Sequence, residues 1–360
     1  MKRVLVFGLG ETFGGVEQYF FSRLNYLTEQ AIVDFAYPVG TKISYKDKFK
    51  NWNCQIITIP KLSRPLSYFS CIKKIIKAKH YDIVYSNQAF ANGLLYLAVK
   101  QAGAKLIVHA HNTSIAINDF AKEVVLKYYH YLSRFLFTGI IDSKYGCSKE
   151  AYIWMFGESN NISIRKNAID AILYQYNFET REKIRKELKL QGSLVFGHIG
   201  RFSIQKNHTF LIDVFRVVHQ KYPESKLLLI GDGELKDRIV DKVQRLNLID
   251  SVLFLGQRND VPDILQAMDC FVLPSLFEGL GIVSIEAQAA GLPCALSNNV
   301  PKEVKIIESV RFISLNESLD YWTNELLLLG NLSRINSFKQ IKDAGYDLKT
   351  SMMSLSDFFS

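Results

Sequence analysis

The sequence has few of the features that would place a protein in a membrane or outside the cell. None of its apolar runs approaches the roughly 18 residues that a membrane-spanning helix needs. Its five cysteines form no C-x-x-C pair, which is typical of reduced thiols in the cytoplasm. Residues 1–8 predict a first β-strand ended by glycine rather than a signal peptide. We therefore expect a cytoplasmic protein.

Acidic residues are outnumbered by basic ones. The chain has 44 Lys and Arg against 35 Asp and Glu, a formal net charge of +9. This charge favours anionic partners, which could be nucleic acids, acidic lipids or a diphosphate substrate. No nucleic-acid-binding motif is present, so we predict no nucleic-acid partner.

Short apolar runs alternate with helical patterns along the whole chain. This alternation predicts an α/β fold with parallel sheets covered by helices on both faces. The pattern begins afresh at Leu194, after a charged segment at 170–191 without a clear strand, so we predict two Rossmann-like domains. The predicted strands are Arg3–Phe7, Ile32–Ala36, Gln55–Ile59, Asp82–Tyr85, Lys105–His109, Ile140–Tyr145, Leu194–Ile199, Lys226–Ile230, Val252–Leu255, Cys270–Leu273, Cys294–Leu296 and Val310–Ile313.

A glycine-rich turn opens a predicted helix in the second half of the chain. Gly279 and Gly281 let backbone N–H groups approach a ligand, and a helix N-terminus attracts an anion. The flanking carboxylates, Glu278 and Glu286, would repel a phosphate, so we expect them to bind vicinal hydroxyls. A ligand with phosphates in the middle and hydroxyls at both ends is a nucleotide sugar. The alternative is an ordinary turn with two solvated glutamates.

Glu278 and Glu286 are separated by seven residues, with Gly-x-Gly after the first. This resembles the E-x7-E motif of the retaining glycosyltransferases of family 4, which have the GT-B fold. The resemblance implies an acceptor-binding domain (1–170) and a nucleotide-sugar-binding domain (171–342), with parallel sheets facing an inter-domain cleft. Residues 343–360 would form a terminal helix that returns to the first domain.

The resemblance also implies roles for the residues of this turn. Glu286 would hold the ribose of the donor. Glu278 would hold hydroxyls of the transferred sugar together with the backbone of four residues, Gly279, Leu280, Gly281 and Ile282.

A second segment, Gly197–His208, closely resembles the family's G-R-x4-K pattern, here Gly200, Arg201 and Lys206. In the family its two cations hold the donor diphosphate, whose negative charge grows as the glycosidic bond breaks. Many glycosyltransferases use a metal bound by an Asp-x-Asp motif instead, and this sequence has none. We therefore predict metal-independent transfer without a cofactor. Arg258, in a loop that resembles the family's nucleobase side, is a further candidate.

The first turn of the chain permits a rival interpretation. Gly8 and Gly10 form a G-x-G pattern, which would suit an NAD-dependent nucleotide-sugar oxidoreductase or epimerase, but Phe13 stands at the third glycine position. Residues 14–17 instead resemble the family's G-G-V-E segment, which places Gly15 at the donor site. A simple tight turn remains the alternative. A second rival is a non-catalytic partner subunit of a glycosyltransferase, against which the intact motifs argue.

His109 and His111 follow an apolar strand, at the carboxyl end where α/β proteins bind ligands. His111 is the better match to the family histidine that lies close to the transferred sugar. A metal-binding pair would need a third ligand, and none is evident nearby. A purely structural histidine is the remaining alternative.

Residues 61–81 contain six Lys or Arg and no acidic residue. In a helix from about Pro65, the apolar Phe69, Ile72 and Ile76 share a face. Either this face packs on its own sheet, or the helix docks onto an anionic membrane through a patch of Lys73, Lys74 and Lys77. The second interpretation resembles family members that use lipid-linked acceptors.

We therefore expect an enzyme that moves a hexose-type sugar, from a UDP-sugar by preference, to a lipid-linked glycan of a cell-surface or exopolysaccharide. It would act in the cytoplasm, peripherally on the inner face of the cell membrane.

Overall fold

The computed structural model describes residues 1–11, 14–24, 27–28, 31–115 and 119–351, except for the side chain of Asn51. These residues divide into two compact units, which we call unit 1 (1–167) and unit 2 (168–351). Each unit contains one six-stranded sheet, and all of its neighbouring strands are parallel.

Unit 1 has the strand order β3-β2-β1-β4-β5-β6. Its central strand is apolar on both faces because helices cover both sides of a parallel sheet. The strands are β1 Lys2–Phe7, β2 Ala31–Pro38, β3 Ile56–Ile59, β4 Ile83–Ser86, β5 Lys105–Ala110 and β6 Ser143–Gly146. The described helices are α1 Gly15–Phe21, α2 Pro65–Ala78, α3 Gly93–Ala102, α4 Phe120–Phe137 and α5 Lys149–Phe156, with 3₁₀ turns at Lys46–Asn51 and Thr138–Ile140.

Unit 2 has the strand order β12-β11-β10-β7-β8-β9, so β7 and β10 are neighbours. The strands are β7 Leu194–Ile199, β8 Ser225–Ile230, β9 Val252–Gly256, β10 Cys270–Leu273, β11 Cys294–Ser297 and β12 Val310–Ile313. The helices are α6 Ala171–Tyr174, α7 Phe178–Glu187, α8 His208–Lys221, α9 Lys236–Arg245, α10 Val261–Ala267, α11 Ile282–Ala289, α12 Leu319–Gly330, α13 Phe338–Asp343 and α14 Leu348–Ser351, with 3₁₀ turns at Ile204–Lys206 and Lys302–Val304.

All twelve predicted strands are confirmed, and only β6 differs by more than two residues at an end. The predicted start at Ile140 is wrong, because Thr138–Ile140 form a 3₁₀ turn. The Asp142 carboxylate accepts the Leu106 N–H at 2.7 Å, so strand pairing begins one residue later, at Ser143. In the described part of the predicted terminal helix at 343–360, residues 344–347 are not helical and α14 at Leu348–Ser351 belongs to unit 2. Residues 352–360 lie outside the described part, so a helix there stays a prediction.

Helix α2 buries its apolar side within unit 1. Tyr68, Ile72 and Ile76 are each at most 2% exposed, whereas Phe69 lies at the border of the buried face. The helix was therefore predicted correctly, and its buried face was misplaced by one residue. Among the described helices, none is long and apolar enough to cross a membrane.

Candidate active site

Two loops of unit 2 that are distant in sequence lie side by side. They follow β7 and β10, and the carboxyl ends of neighbouring parallel strands meet at the same edge of a sheet. The Leu276 N–H donates to the Gln205 carbonyl at 2.8 Å, and the Asn207 side-chain amide donates to the Pro274 carbonyl at 3.2 Å. These bonds join the two predicted motifs into one candidate site.

Lys206 and Glu278 form a buried ion pair where the loops meet. Lys206 Nζ lies 2.6 Å from Glu278 Oε1, and the two side chains are 15% and 6% exposed. The Ser275 hydroxyl donates to the same oxygen at 2.7 Å, and the Gln205 amide donates to the other oxygen at 3.4 Å. These contacts fix the orientation of the Glu278 carboxylate. An anion that binds here would compete with this carboxylate for the Lys206 ammonium group.

Glu286 lies on α11, which begins after this loop, and is 7% exposed. Burial raises its pKa to about 7, opposed by a hydrogen bond with Tyr174 and by the positive charge of Lys206. A donor of further hydrogen bonds, such as a pair of ligand hydroxyls, would favour its ionised form. Tyr174 was missed by sequence reasoning because it lies on α6, in the polar segment interpreted only as a domain boundary.

The turn before α11 has the backbone that its glycine motif predicts. Gly281 caps the helix with φ +81°, a left-handed conformation that side chains rarely adopt. Leu280 is 3% exposed, so its backbone rather than its side chain is the part that can face a ligand. Gly279 precedes Leu280 in this turn, and Ile282 is the first residue of α11.

Arg201 is held by the neighbouring loop after β8. A Cβ atom on Gly231 would lie 2.1 Å from the Gly200 carbonyl oxygen, so the two loops approach closely only because residue 231 is glycine. The Arg201 guanidinium is 56% exposed and pairs with Glu234 at 3.2 Å. The positive charge of Arg201 is therefore paired with Glu234 rather than with Glu278.

The structure does not bring Arg258 to the Lys206–Glu278 pair. It follows β9, the edge strand two positions from β7, and its exposed guanidinium binds Asp260 at 2.8 and 2.5 Å. Its role at the nucleobase stays a prediction.

In unit 1, His111 is a buried, neutral side chain. Its Nε2 donates to the Asn87 amide oxygen at 3.0 Å, and its Nδ1 lies 3.4 Å from the Asn167 amide nitrogen. Burial, assisted by the positive charge of Arg23, lowers its pKa to about 3. His111 is therefore not a proton donor at neutral pH, and both of its ring nitrogens already have partners in unit 1. Within the described residues, no three His, Cys, Asp or Glu side chains cluster as metal ligands do.

Two backbone N–H groups of the first glycine turn are bound by a side chain of the protein itself. Glu17 is 4% exposed, and its carboxylate accepts the Gly10 N–H at 2.6 Å and the Gly14 N–H at 2.9 Å. A carboxylate in this position repels the pyrophosphate of a dinucleotide, which argues against the NAD interpretation. Gly15 begins α1 beside this turn, and Phe13 lies outside the described residues.

Two family models match the chain. The one described as glycosyl transferases group 1 matches residues 180–311, and the one described as Glycosyltransferase Family 4 matches residues 13–141. The two matches fall in unit 2 and unit 1 respectively.

Similar proteins are named as glycosyltransferases. A putative glycosyltransferase, EpsF of Bacillus subtilis (strain 168), is 26% identical over 100% of this chain and 96% of its own length. The UDP-Gal:alpha-D-GlcNAc-diphosphoundecaprenol alpha-1,3-galactosyltransferase of Escherichia coli is 32% identical over 67% of this chain and 65% of its own. The crystal structure of Anabaena HepE in complex with UDP and glucose has a TM-score of 0.80 at 20% identity and covers 99% of both chains. This chain therefore belongs to the group 1 glycosyltransferases of the GT-B fold.

Proposed function

We propose that this glycosyltransferase moves a hexose-type sugar from a nucleoside diphosphate, UDP by preference, to its acceptor with retention of configuration and without a metal. The observation that carries the proposal is the buried Lys206–Glu278 pair at the carboxyl ends of β7 and β10. The UDP in the HepE crystal structure and the UDP-Gal in the name of the E. coli relative support UDP as the nucleotide.

Lys206 supplies what the departing nucleotide needs. When the bond between the anomeric carbon and the diphosphate oxygen breaks, negative charge develops on the diphosphate, and a positioned cation in a poorly solvated site stabilises it. Lys206 is only 15% exposed, so its charge acts in such a site. The exposed Arg201 would leave Glu234 to provide the second cation.

The two glutamates would bind different hydroxyl groups of the nucleotide sugar. Glu286 would accept hydrogen bonds from the ribose hydroxyls. Glu278, with the backbone of residues 279–282, would bind hydroxyls of the transferred sugar. The roles predicted for His111 and Gly15 of unit 1 stay predictions.

Unit 1 would bind the acceptor, and we propose a lipid-linked glycan of cell-surface polysaccharide synthesis. The name of the E. coli relative, which contains a diphosphoundecaprenol acceptor, supports this class. Unit 1 has a cavity of about 720 Å³ at the carboxyl ends of β2 and β3, and its lining includes Lys61, Ser63, Arg64 and Ser67. Two cations and two hydroxyls suit a ligand that carries phosphate.

A nucleotide-sugar panel measured by thermal unfolding in excess EDTA tests the proposal. We expect UDP and at least one UDP-sugar to raise the melting temperature, because ligand at about 100 times its dissociation constant adds roughly 2.7 kcal/mol of stability. Incubation with the stabilising donor alone should hydrolyse it slowly to UDP and free sugar, with water as the acceptor, which a non-catalytic partner subunit would not do. Stabilisation by NAD alone, or by UDP-sugars only after Mn²⁺ is added, would contradict the proposal.

A further inference from the structure

The two central strands of unit 2 separate before they end. Pairing between β7 and β10 stops at Gly197 and Phe271, two residues short of the carboxyl end of each strand. By contrast, β7 stays paired with β8, and β10 with β11, up to their last residues. The chain leaves β7 towards β8 and leaves β10 in the opposite direction, towards β11. The gap is therefore a switch point of the sheet, where open α/β sheets bind their ligands.

The side chain of His198 bridges this gap. His198 is fully buried and is the next residue of β7 after the pairing stops, as Val272 is the next residue of β10. Its Nδ1 lies 2.8 Å from the Val272 carbonyl oxygen. A carbonyl only accepts, so Nδ1 carries the hydrogen, and Nε2 is the unprotonated nitrogen of the neutral ring. A side-chain hydrogen bond therefore takes the place of strand pairing where the two loops of the site begin.

The opposite edge of the His198 ring adjoins the loop that carries Lys206. A Cβ atom on Gly200 would lie 3.0 Å from His198 Nε2 and 3.0 Å from both Cγ and Cδ of Lys206. The imidazole edge and the Lys206 methylenes therefore border the space that a side chain at position 200 would fill. Nε2 has no hydrogen-bond partner among the described residues. The ring thus binds β10 by its one hydrogen bond and adjoins the Lys206 loop by packing.

A second buried ring holds the His198 imidazole in this orientation. The ring of His208, the first residue of α8, lies 4.6 Å from that of His198 at an interplanar angle of 82°. On its other contact, the His208 ring stacks on Phe202 at 4.1 Å. Edge-to-face and stacked contacts of this kind restrict the rotation of both rings. The His198 ring is therefore held in one position between β10 and the Lys206 loop.

We propose that His198 is a positioning residue for sugar transfer: its bond to Val272 fixes the separation of the two loops and thereby the place of the Lys206 ammonium group. The inference rests on the proposed function, in which Lys206 stabilises the charge on the departing diphosphate. Such a cation must be placed closely, since a misplacement of about 1 Å can cost about 100-fold in rate. His198 acts through Lys206 and does not itself contact the donor.

Two amide variants separate positioning from packing. His198→Asn places its amide nitrogen where Nδ1 lies, so it still donates to Val272, whereas His198→Gln places the same group where Nε2 lies. In donor hydrolysis, with water as the acceptor, His198→Asn should keep kcat within about threefold of the wild type, and His198→Gln should lower it by about tenfold or more. The donor KM should change less than kcat, because the charge that Lys206 neutralises grows during the reaction.

A double-mutant cycle tests whether His198 acts through Lys206. In the Lys206→Ala background, His198→Gln should change kcat by less than about twofold, because residues that act as a unit are not additive. His219→Leu is the matched control. It removes hydrogen bonds to the Ser225 and Ser251 hydroxyls, at the opposite end of the same sheet, and should keep wild-type turnover.

Thermal unfolding shows which variants are folded, and His198→Leu, which also lacks a donor for Val272, replaces His198→Gln should the latter not fold. Equal kcat in His198→Asn and His198→Gln would overturn the inference, and so would an undiminished loss in the Lys206→Ala background. Both results leave the proposed donor site intact. Wild-type turnover in Lys206→Ala alone would instead refute the proposed role of Lys206, and this inference with it.

Discussion

Replacing Lys206 with Ala should lower turnover by about 30- to 900-fold, which corresponds to roughly 2–4 kcal/mol of transition-state stabilisation. The loss should appear mainly in kcat, because the charge that Lys206 neutralises grows as the diphosphate departs. The measurement is the initial rate of UDP release at saturating donor, with water as the acceptor of the sugar. Turnover close to that of the wild type would contradict the assigned role.

Stability must be separated from catalysis in this variant, because Lys206→Ala leaves Glu278 as a buried carboxylate without its cation. Lys206→Ala/Glu278→Gln should therefore regain melting temperature but not turnover. Lys242→Ala is the matched control, since its Nζ also lies 2.6 Å from a carboxylate, that of Asp213, and its side chain is 17% exposed. It should keep wild-type turnover.

Acidification should destabilise the protein by roughly 4 kcal/mol between pH 6.5 and 5.5. Five histidines are buried and neutral. Burial lowers their pKa values well below the usual range for His109, to about 3 for His111, to about 4 for His130 and His198 and to about 2 for His208. As the pH falls below about 6.5, the five histidines bind protons in the unfolded chain but not in the folded one.

Each of these histidines therefore lowers the free energy of unfolding by about 1 kcal/mol between pH 6.5 and 5.5. Glu286 acts in the opposite direction, because its raised pKa of about 7 lets the folded protein bind a proton that the unfolded chain binds only near 4.5. The stabilisation due to Glu286 therefore offsets the destabilisation due to about one histidine. Urea unfolding at the two pH values measures the difference.

His208→Phe is an informative variant for this prediction. The His208 ring stacks on Phe202 at 4.1 Å, and neither of its nitrogens has a hydrogen-bond partner among the described residues. Phenylalanine should keep the stack and remove one titrating group, so acid sensitivity should fall by about 1 kcal/mol. Equal stability of the wild type at pH 6.5 and 5.5 would show that the histidines are not neutral in the fold.

The strands were predictable because strands buried on both faces are short apolar runs in any sequence of this class. The Lys206–Glu278 pair was predictable only as two separate motifs. Their contact depends on β7 and β10 being neighbours in the sheet. The local sequence around each motif does not predict this pairing. The choice of Glu234 as the partner of Arg201 likewise depends on how closely two loops approach.

The exposed apolar face of helix α4 shows a different limit. The apolar residues of this helix recur with the spacing of an amphipathic helix, and this spacing does not predict which face is buried. The apolar face is the outer one here because His130 and Tyr129 find polar partners at Ala91 and Asn92. That arrangement becomes visible only when the helices of unit 1 are assembled.

Calorimetric titration with UDP in excess EDTA tests the donor site most directly. The wild type should bind one UDP per chain. Glu286→Gln should bind it about tenfold more weakly, because one charge-assisted pair of hydrogen bonds to the ribose is lost. Glu325→Gln on α12 should match the wild type. Absence of UDP binding to the wild type, or unchanged affinity in Glu286→Gln, would contradict a donor site built around Lys206, Glu278 and Glu286.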